Sequence, residues 1–132
     1  MESKLVQLIR EFEKLKSLIE EETDLVDAAA DLLNRIEKMF SAECRWPAME
    51  TKVIYRSNDC KLAVEEAAGK CYLLVDCHGK DKGYAFYWLM NSIDEVIEKL
   101  KSFNDRYAKR NKDMKRKLEA FEKVLTSVTA IR

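Results

Sequence analysis

The sequence predicts an α+β protein in which two long helices, one at each end of the chain, form an antiparallel coiled coil with a small antiparallel β-sheet head between them. Apolar residues recur at helical spacing over both ends, and aromatic or β-branched residues concentrate between them. The 132 residues include only three glycines and one proline, which is too few for a fold of many turns. This length suits a single domain, with a helix over 3–42, a β-rich head over 43–91 and a helix over 92–129.

The first helix is predicted from an apolar seam with 3-4 spacing, interrupted once by Glu22. The seam comprises Leu5, Leu8, Phe12, Leu15, Ile19, Val26, Ala29, Leu33, Ile36 and Phe40. Its phase survives across Glu22, so one continuous helix is favoured, although Thr23 and Asp24 are capping residues that would also suit a break. The helix is expected to end before Pro47, because a proline disfavours helical backbone in the residue before it.

Three segments of the head have the composition of strands. Residues 51–56 and 70–77 are strand-like, and 84–90 (YAFYWLM) gives the strongest strand prediction in the chain. Between the last two, residues 78–83 (HGKDKG) form a loop with two glycines. This loop lacks P-loop spacing, and no helix is expected directly after it, so phosphate binding by this loop is not favoured.

Residues 60–68 fit either a strand or a helix end. Leu62 and Val64 alternate as in a strand, whereas Glu65 to Ala68 before Gly69 resembles a helix C-terminus. We prefer the strand, in which a tight turn at Ala68 and Gly69 would set Cys60 opposite Cys77.

The four cysteines are Cys44, Cys60, Cys71 and Cys77. Their spacing does not resemble paired zinc half-sites, so the favoured interpretation is four reduced, mostly buried thiols. A disulfide from Cys60 to Cys71 or Cys77 is one alternative, and a metal site using Cys77 with His78 is another. We predict no cofactor and no metal.

The last helix is predicted to begin at a capping box formed by Ser92 and Glu95. Its apolar stripe thins at Arg110 and Lys117. The stripe comprises Ile93, Val96, Leu100, Phe103, Tyr107, Met114, Leu118, Phe121, Leu125 and Val128.

The net charge of zero is the sum of an acidic N-terminal region and a basic C-terminal region. Residues 1–42 carry ten acidic and six basic side chains, whereas residues 92–132 carry seven acidic and eleven basic ones. If the helices pair antiparallel, with Leu5 matched to Val128, Asp24 lies level with Lys109. Such a pattern specifies orientation more than it adds stability. The same complementarity would also suit pairing between chains.

Neither a membrane protein nor an enzyme is indicated. Charges follow Met1 where a signal peptide is apolar, and the longest apolar run has seven residues, so a cytoplasmic protein with no membrane contact is expected. No recognisable nucleophile or acid–base set accompanies His78, the single histidine, and no catalytic residues are predicted.

Residues 82–86 (KGYAF) resemble the start of the RNP1 motif of RNA-recognition-motif domains. The resemblance implies that strand aromatics stack on bases, and a basic helix would add phosphate contacts. An alternative function is therefore RNA or DNA binding. Its residues would be Tyr84, Phe86, Trp88, Arg106, Lys109, Arg110, Lys112, Lys115, Arg116 and Lys117. The competing interpretation is a core strand.

The whole layout resembles an alpha-type prefoldin subunit. Val75-Asp76, Gly83-Tyr84 and the segment 92–100 (SIDEVIEKL) resemble that family's strand and second-helix entry. The resemblance implies assembly through the β segments and capture of unfolded chains at the coiled-coil tips. The tip residues here are Leu5, Leu8, Ile9, Phe12, Phe121, Leu125 and Val128. We therefore expect a homo- or hetero-oligomeric, non-enzymatic protein that binds a protein partner or client.

Overall fold

The computed structural model describes residues 2–44 and 52–131. They form α1 (Glu2–Met39), β1 (Ser41–Glu43), β2 (Lys52–Ser57), β3 (Cys60–Ala67), β4 (Lys70–Cys77), α2 (Lys82–Asn91) and α3 (Ile93–Ile131). The α+β class is confirmed, as are the two long helices, which end within three residues of their predicted bounds. The predicted exit of the first helix at 44–47 lies mostly outside the described residues.

A four-stranded antiparallel sheet, in the order β1-β4-β3-β2, forms the centre of the head. Two-residue turns join β2 to β3 and β3 to β4, and all four turn residues have positive φ, including Asn58 at 49° and Gly69 at 81°. This is the type I′ geometry that matches the natural twist of paired strands. The strand over residues 60–68 is confirmed, and Cys60 lies opposite Cys77 as predicted.

The strand predicted over 84–90 is wrong, because this segment belongs to helix α2. The side chain of Asp81 caps the helix, accepting a hydrogen bond from the backbone N–H of Tyr84 at 2.8 Å. The segment has aromatic residues but no β-branched ones, and Ala85, Leu89 and Met90 favour helix.

The chain divides into two compact units, Met1–Val96 and Ile97–Arg132. The core of the first unit lies where α1 and α2 pack on the sheet. Trp88 of α2 stacks on Tyr55, with ring centroids 5.8 Å apart, and its indole Nε1 donates to Ser57 Oγ at 3.0 Å. The buried core residues are Leu33, Cys60, Leu62, Val75, Cys77, Ala85, Trp88 and Val96.

A partly buried ion pair joins α1 and α2 to the edge of β4. β1 pairs with residues 70–72 of β4, and further along this edge the backbone of Val75 bonds to side chains instead. Its N–H donates to Glu37 Oε2 at 3.0 Å, and its carbonyl accepts from Lys82 Nζ at 2.7 Å. Lys82 and Glu37 are themselves 3.0 Å apart. This arrangement satisfies a stretch of sheet edge that would otherwise be open to another strand.

Two disulfides, Cys44–Cys71 and Cys60–Cys77, use all four cysteines. The favoured interpretation of reduced thiols is therefore wrong, and the alternative of a Cys60–Cys77 bridge is confirmed. The sheet register accounts for this bridge, because it sets the two residues directly opposite each other on neighbouring strands. The same bridge removes Cys77 as a thiolate ligand beside His78, and the described residues contain no cluster suited to a metal ion.

Candidate interaction surfaces

A groove of about 780 Å³ lies between α1 and α2. The helices approach closely at Gly83, where an added Cβ would lie 2.5 Å from both Cγ1 and the carbonyl oxygen of Val26. The walls of this α1/α2 groove are mainly apolar, with Leu25, Val26 and Ala29 on one side and Tyr84, Phe86 and Tyr87 on the other. A volume of this size falls within the range of sites that bind ligands or partner side chains.

An exposed apolar face continues from the groove toward the N-terminus of α1. This α1 stripe consists of Leu5, Leu8, Ile9, Phe12, Leu15, Leu18 and Ile19. Exposed fractions run from 48% at Leu8 to 65% at Leu5, so the predicted tip residues of α1 all lie on the surface. Leu18 and Leu25 are two helical turns apart on one face, which makes the stripe and the groove parts of one surface.

Glu22, the residue that interrupts the apolar seam, lines this groove. The other acidic residues of the segment do not share its direction. At 100° per residue, Asp24 and Asp31 lie roughly 180° and 160° around the helix from the fully buried Leu33. Asp31 pairs with Arg35 at 3.5 Å on the solvated side. The acidic cluster predicted as one surface therefore splits, and Glu22 is the member that faces the groove.

In the second unit, the predicted tip residues of α3 are also exposed. This α3 stripe consists of Leu118, Phe121, Val124, Leu125 and Val128. Phe121 is 70% exposed, the highest value in the stripe. Neither stripe is buried, although each is as apolar as a helix face that normally packs against a partner.

The basic residues predicted for nucleic-acid binding lie along α3 at mostly exposed positions. Part of this charge is already paired, because Asp113 contacts Lys117 at 2.9 Å and Arg116 at 3.3 Å. The hydrogen bond from Lys117, followed by that residue's charge, holds the pKa of Asp113 below its usual value. The guanidinium of Arg110 lies 5.9 Å from the ring centroid of Tyr107, so it extends over the apolar side of the helix.

The aromatic residues of the RNP1-like segment do not form a strand platform. Tyr84 and Tyr87 are exposed on α2, whereas Phe86 packs against the core and Trp88 is 6% exposed. Residues two positions apart point about 200° apart on a helix, so Tyr84, Phe86 and Trp88 do not share one face. Stacking of bases on these three residues as a set is thus excluded by the helical backbone.

A second, polar cavity of about 400 Å³ surrounds His78, at the end of β4. Arg56 and Lys61 line it together with Asp59 and Asp76, so neither charge sign prevails. The expectation that no helix follows this loop directly is wrong, because α2 begins at Lys82. The carboxylate of Asp81 already accepts a bond from the first turn of that helix, in the place where a bound phosphate would sit.

The apolar periodicity predicted the residues of both stripes, but no sequence pattern predicted the groove. Three features of the sequence could have indicated the groove: Asp81 as a helix cap, the lack of β-branched residues in 84–90, and Glu22 as an interruption of the apolar seam.

Among residues 2–44 and 52–131, no helix is both long and apolar enough to cross a membrane. No protein-family model, no curated protein and no solved structure matches the chain.

Proposed function

We propose that this chain is a non-enzymatic interaction protein, chaperone-like or scaffolding, that acts as an oligomer. In this proposal α1 and α3 take part in an antiparallel coiled coil, whose tips bind a protein partner or client. The partner-binding residues are Leu5, Leu8, Ile9, Phe12, Phe121, Leu125 and Val128. Such a role would follow the helix–sheet–helix layout that resembles alpha-type prefoldin subunits.

The observation that carries the proposal is the exposure of apolar residues at the free ends of both helices. Phe12 and Phe121 have exposed fractions of 58% and 70%, and their neighbours on each stripe are similarly exposed. Contiguous apolar surface of this extent is rare on soluble proteins unless it binds something. The opposite net charges of residues 1–42 and 92–132 add an electrostatic attraction between the two helices.

The proposal is tested by replacing one apolar residue in each tip with glutamine, as Leu8→Gln together with Leu125→Gln. We expect this variant to lose most of its ability to suppress aggregation of an unfolded test protein. Both residues are about half exposed, so their replacement should leave the helical circular dichroism signal unchanged. Light scattering measures aggregation, and size exclusion with static light scattering measures the oligomeric state.

The matched control substitutes polar residues on the opposite sides of the same two helical ends, as Glu13→Gln together with Lys123→Gln. This control should suppress aggregation as the wild type does. Equal activity in the tip variant and the control would refute client capture by the tips.

A second candidate is electrostatic binding of nucleic acid along α3, favoured by the exposed Arg106, Lys109, Lys112 and Lys115. Affinity would then fall steeply with salt, because bound cations are released from the phosphates. Charge reversal of Lys109 and Lys112 should weaken binding regardless of base sequence. Salt-independent binding, or none at low salt, would eliminate this candidate.

A further inference from the structure

We propose that the Cys44–Cys71 disulfide is a reversible thiol–disulfide exchange site, and that its reduction by a dithiol releases strand β1 from the edge of the sheet. The Cys60–Cys77 disulfide stays closed in the same step and keeps the head folded. The inference goes beyond the proposed function and does not depend on it. It rests on the different burial of the two bridges and on the few contacts that hold β1.

The two bridges differ in how well the protein covers them. Cys60 and Cys77 are 1% and 2% exposed, and both belong to the core cluster. Cys71 is 8% exposed, but Cys44 is only half-buried, so one end of its bridge lies near the surface. Thiol–disulfide exchange requires an attacking thiolate to reach one of the two sulfur atoms. A reductant therefore reaches the Cys44–Cys71 bridge in the folded protein, whereas the other bridge requires the core to open first.

Strand β1 has few other ties to the sheet. It contains three residues, and none of their side chains is buried. It pairs with residues 70–72 of β4, and beyond it the backbone N–H of Cys44 donates to the carbonyl oxygen of Gly69 at 2.9 Å. Backbone pairing over so short an edge strand, with no buried side chain, opens at low cost in free energy. The covalent bridge is thus the main link that keeps this strand on the sheet.

The dithiol alone balances the exchange step. One of its thiolates attacks Sγ of Cys44, the less buried of the two cysteines. The S–S bond breaks, and the electron pair leaves on Cys71 Sγ, which then takes a proton. The second thiolate of the dithiol attacks the mixed disulfide and releases Cys44 as a thiol. The protein disulfide is reduced by two electrons, and the dithiol is oxidised to its own disulfide.

Release of β1 opens a defined part of the β4 edge. The backbone of residues 70–72 loses its partner strand and forms hydrogen bonds with water instead. Further along the same edge, the N–H of Val75 still donates to Glu37 Oε2, and its carbonyl still accepts from Lys82 Nζ. The site is therefore a redox switch that opens three residues of sheet edge and leaves the rest of the head closed.

The order of reduction is tested on the oxidised full-length chain. The protein is treated with dithiothreitol in native buffer, and free thiols are trapped with iodoacetamide and located by peptide mass spectrometry. We expect thiols at Cys44 and Cys71 to appear about tenfold or more faster than those at Cys60 and Cys77. Simultaneous appearance of all four thiols, or earlier appearance of the Cys60–Cys77 pair, would overturn the inference.

The release of β1 is tested by hydrogen exchange on wild-type protein in which the Cys44–Cys71 bridge alone is reduced. Amides of residues 41–43 and 70–72 should exchange faster than in the oxidised protein. The amide of Val75, whose bond to Glu37 is retained, should remain slow. Unchanged exchange in residues 41–43 would show that the bridge does not control the strand, and would overturn the inference.

The matched control replaces both cysteines of the bridge, as Cys44→Ser with Cys71→Ser. Its amides in β1 should exchange rapidly without reductant and show no further change when dithiothreitol is added. Oxidised glutathione added to the reduced wild type should re-form the Cys44–Cys71 bridge and restore slow exchange, and it should leave the variant unchanged. Exchange in the variant that is as slow as in the oxidised wild type would contradict the proposal.

Discussion

The head of this protein buries its apolar side chains, whereas the long helical ends leave theirs exposed to solvent. In the head and the part of α1 that packs on it, Leu33, Val75 and Trp88 are buried, and the described buried side-chain polar atoms all have partners. On the α1 and α3 stripes, side chains of similar size have exposed fractions of 48% or more. The two disulfides lie in the head, and the Glu37–Lys82 pair joins the head to the part of α1 that packs on it. One region is complete within the chain, and the other is suited to association.

The largest loss of stability in the packed region is expected from a substitution at Gly83. In Gly83→Val the new Cβ would meet the backbone oxygen of Val26 at 2.5 Å, and backbone cannot turn aside as a side chain can. We expect the free energy of unfolding of the head to fall by about 3 kcal/mol or more. Denaturant titration followed by tryptophan fluorescence measures this. The same substitution at exposed Tyr87 is the control, and equal losses in the two variants would contradict close α1–α2 packing.

Removal of the Cys60–Cys77 disulfide should have the next largest effect. The bridge closes a loop with a sequence separation of 17, and both cysteines are buried in the core. We expect Cys60→Ala with Cys77→Ala to lower the free energy of unfolding by about 3 kcal/mol. The comparison is Cys44→Ala with Cys71→Ala. The longer separation of 27 in that bridge adds only about 0.4 kcal/mol by loop entropy. Its removal should still cost less, because Cys44 is only half-buried whereas Cys60 and Cys77 are both in the core. A larger loss of stability on removing the Cys44–Cys71 bridge would refute the prediction that the Cys60–Cys77 bridge stabilises the protein more.

Loss of the Lys82 ammonium should lower the free energy of unfolding by a smaller amount. Lys82→Met leaves the carboxylate of Glu37 without its cation and the carbonyl of Val75 without its donor. Because the Lys82 side chain is 29% exposed, water compensates in part, and we expect a loss of about 1–2 kcal/mol. Pairing the substitution with Glu37→Gln in a double-mutant cycle separates the pair from its individual bonds. A coupling energy of zero would show that the two side chains act independently.

The smallest effect is expected on α3, at Asp113. Its pKa is lowered by Lys117 and Arg116, so its ion pairs support the helix at neutral pH. That support is present above the ordinary pKa near 3.8 and is lost as pH falls through the lowered value. Helicity of Asp113→Asn should match the wild type in acid and fall slightly below it at pH 7. Circular dichroism from pH 2 to 7 provides the measurement, and a pH-independent difference would contradict the ion-pair explanation.

Local patterns predicted most of the fold. The 3-4 spacing gave the long helices to within a few residues, and the turn at Ala68 and Gly69 gave the β3–β4 register. Helix α2 was missed because YAFYWLM is apolar on all sides, and periodicity cannot separate a buried strand from a buried helix in so short a run. The groove was missed because it depends on contact between Gly83 and Val26, which no local pattern encodes.

The exposed residues of both stripes were predictable because they belong to the same periodic pattern as the buried ones. The exposure of these residues was not predictable, because periodicity shows that a helix face is apolar but does not show whether another element covers it. The acidic cluster shows the same limit. Its members are close in sequence, but the helix directs Glu22 to the groove and Asp24 to solvent.

The central claim, that the helical ends carry surface meant for association, is tested most directly by sedimentation of the wild-type chain over a hundredfold range of concentration. The account predicts a mass above that of one chain, falling toward 15.4 kDa on dilution, and little concentration dependence when Leu15 and Leu118 are changed to glutamine. A wild-type chain that remains monomeric across the whole range would contradict it.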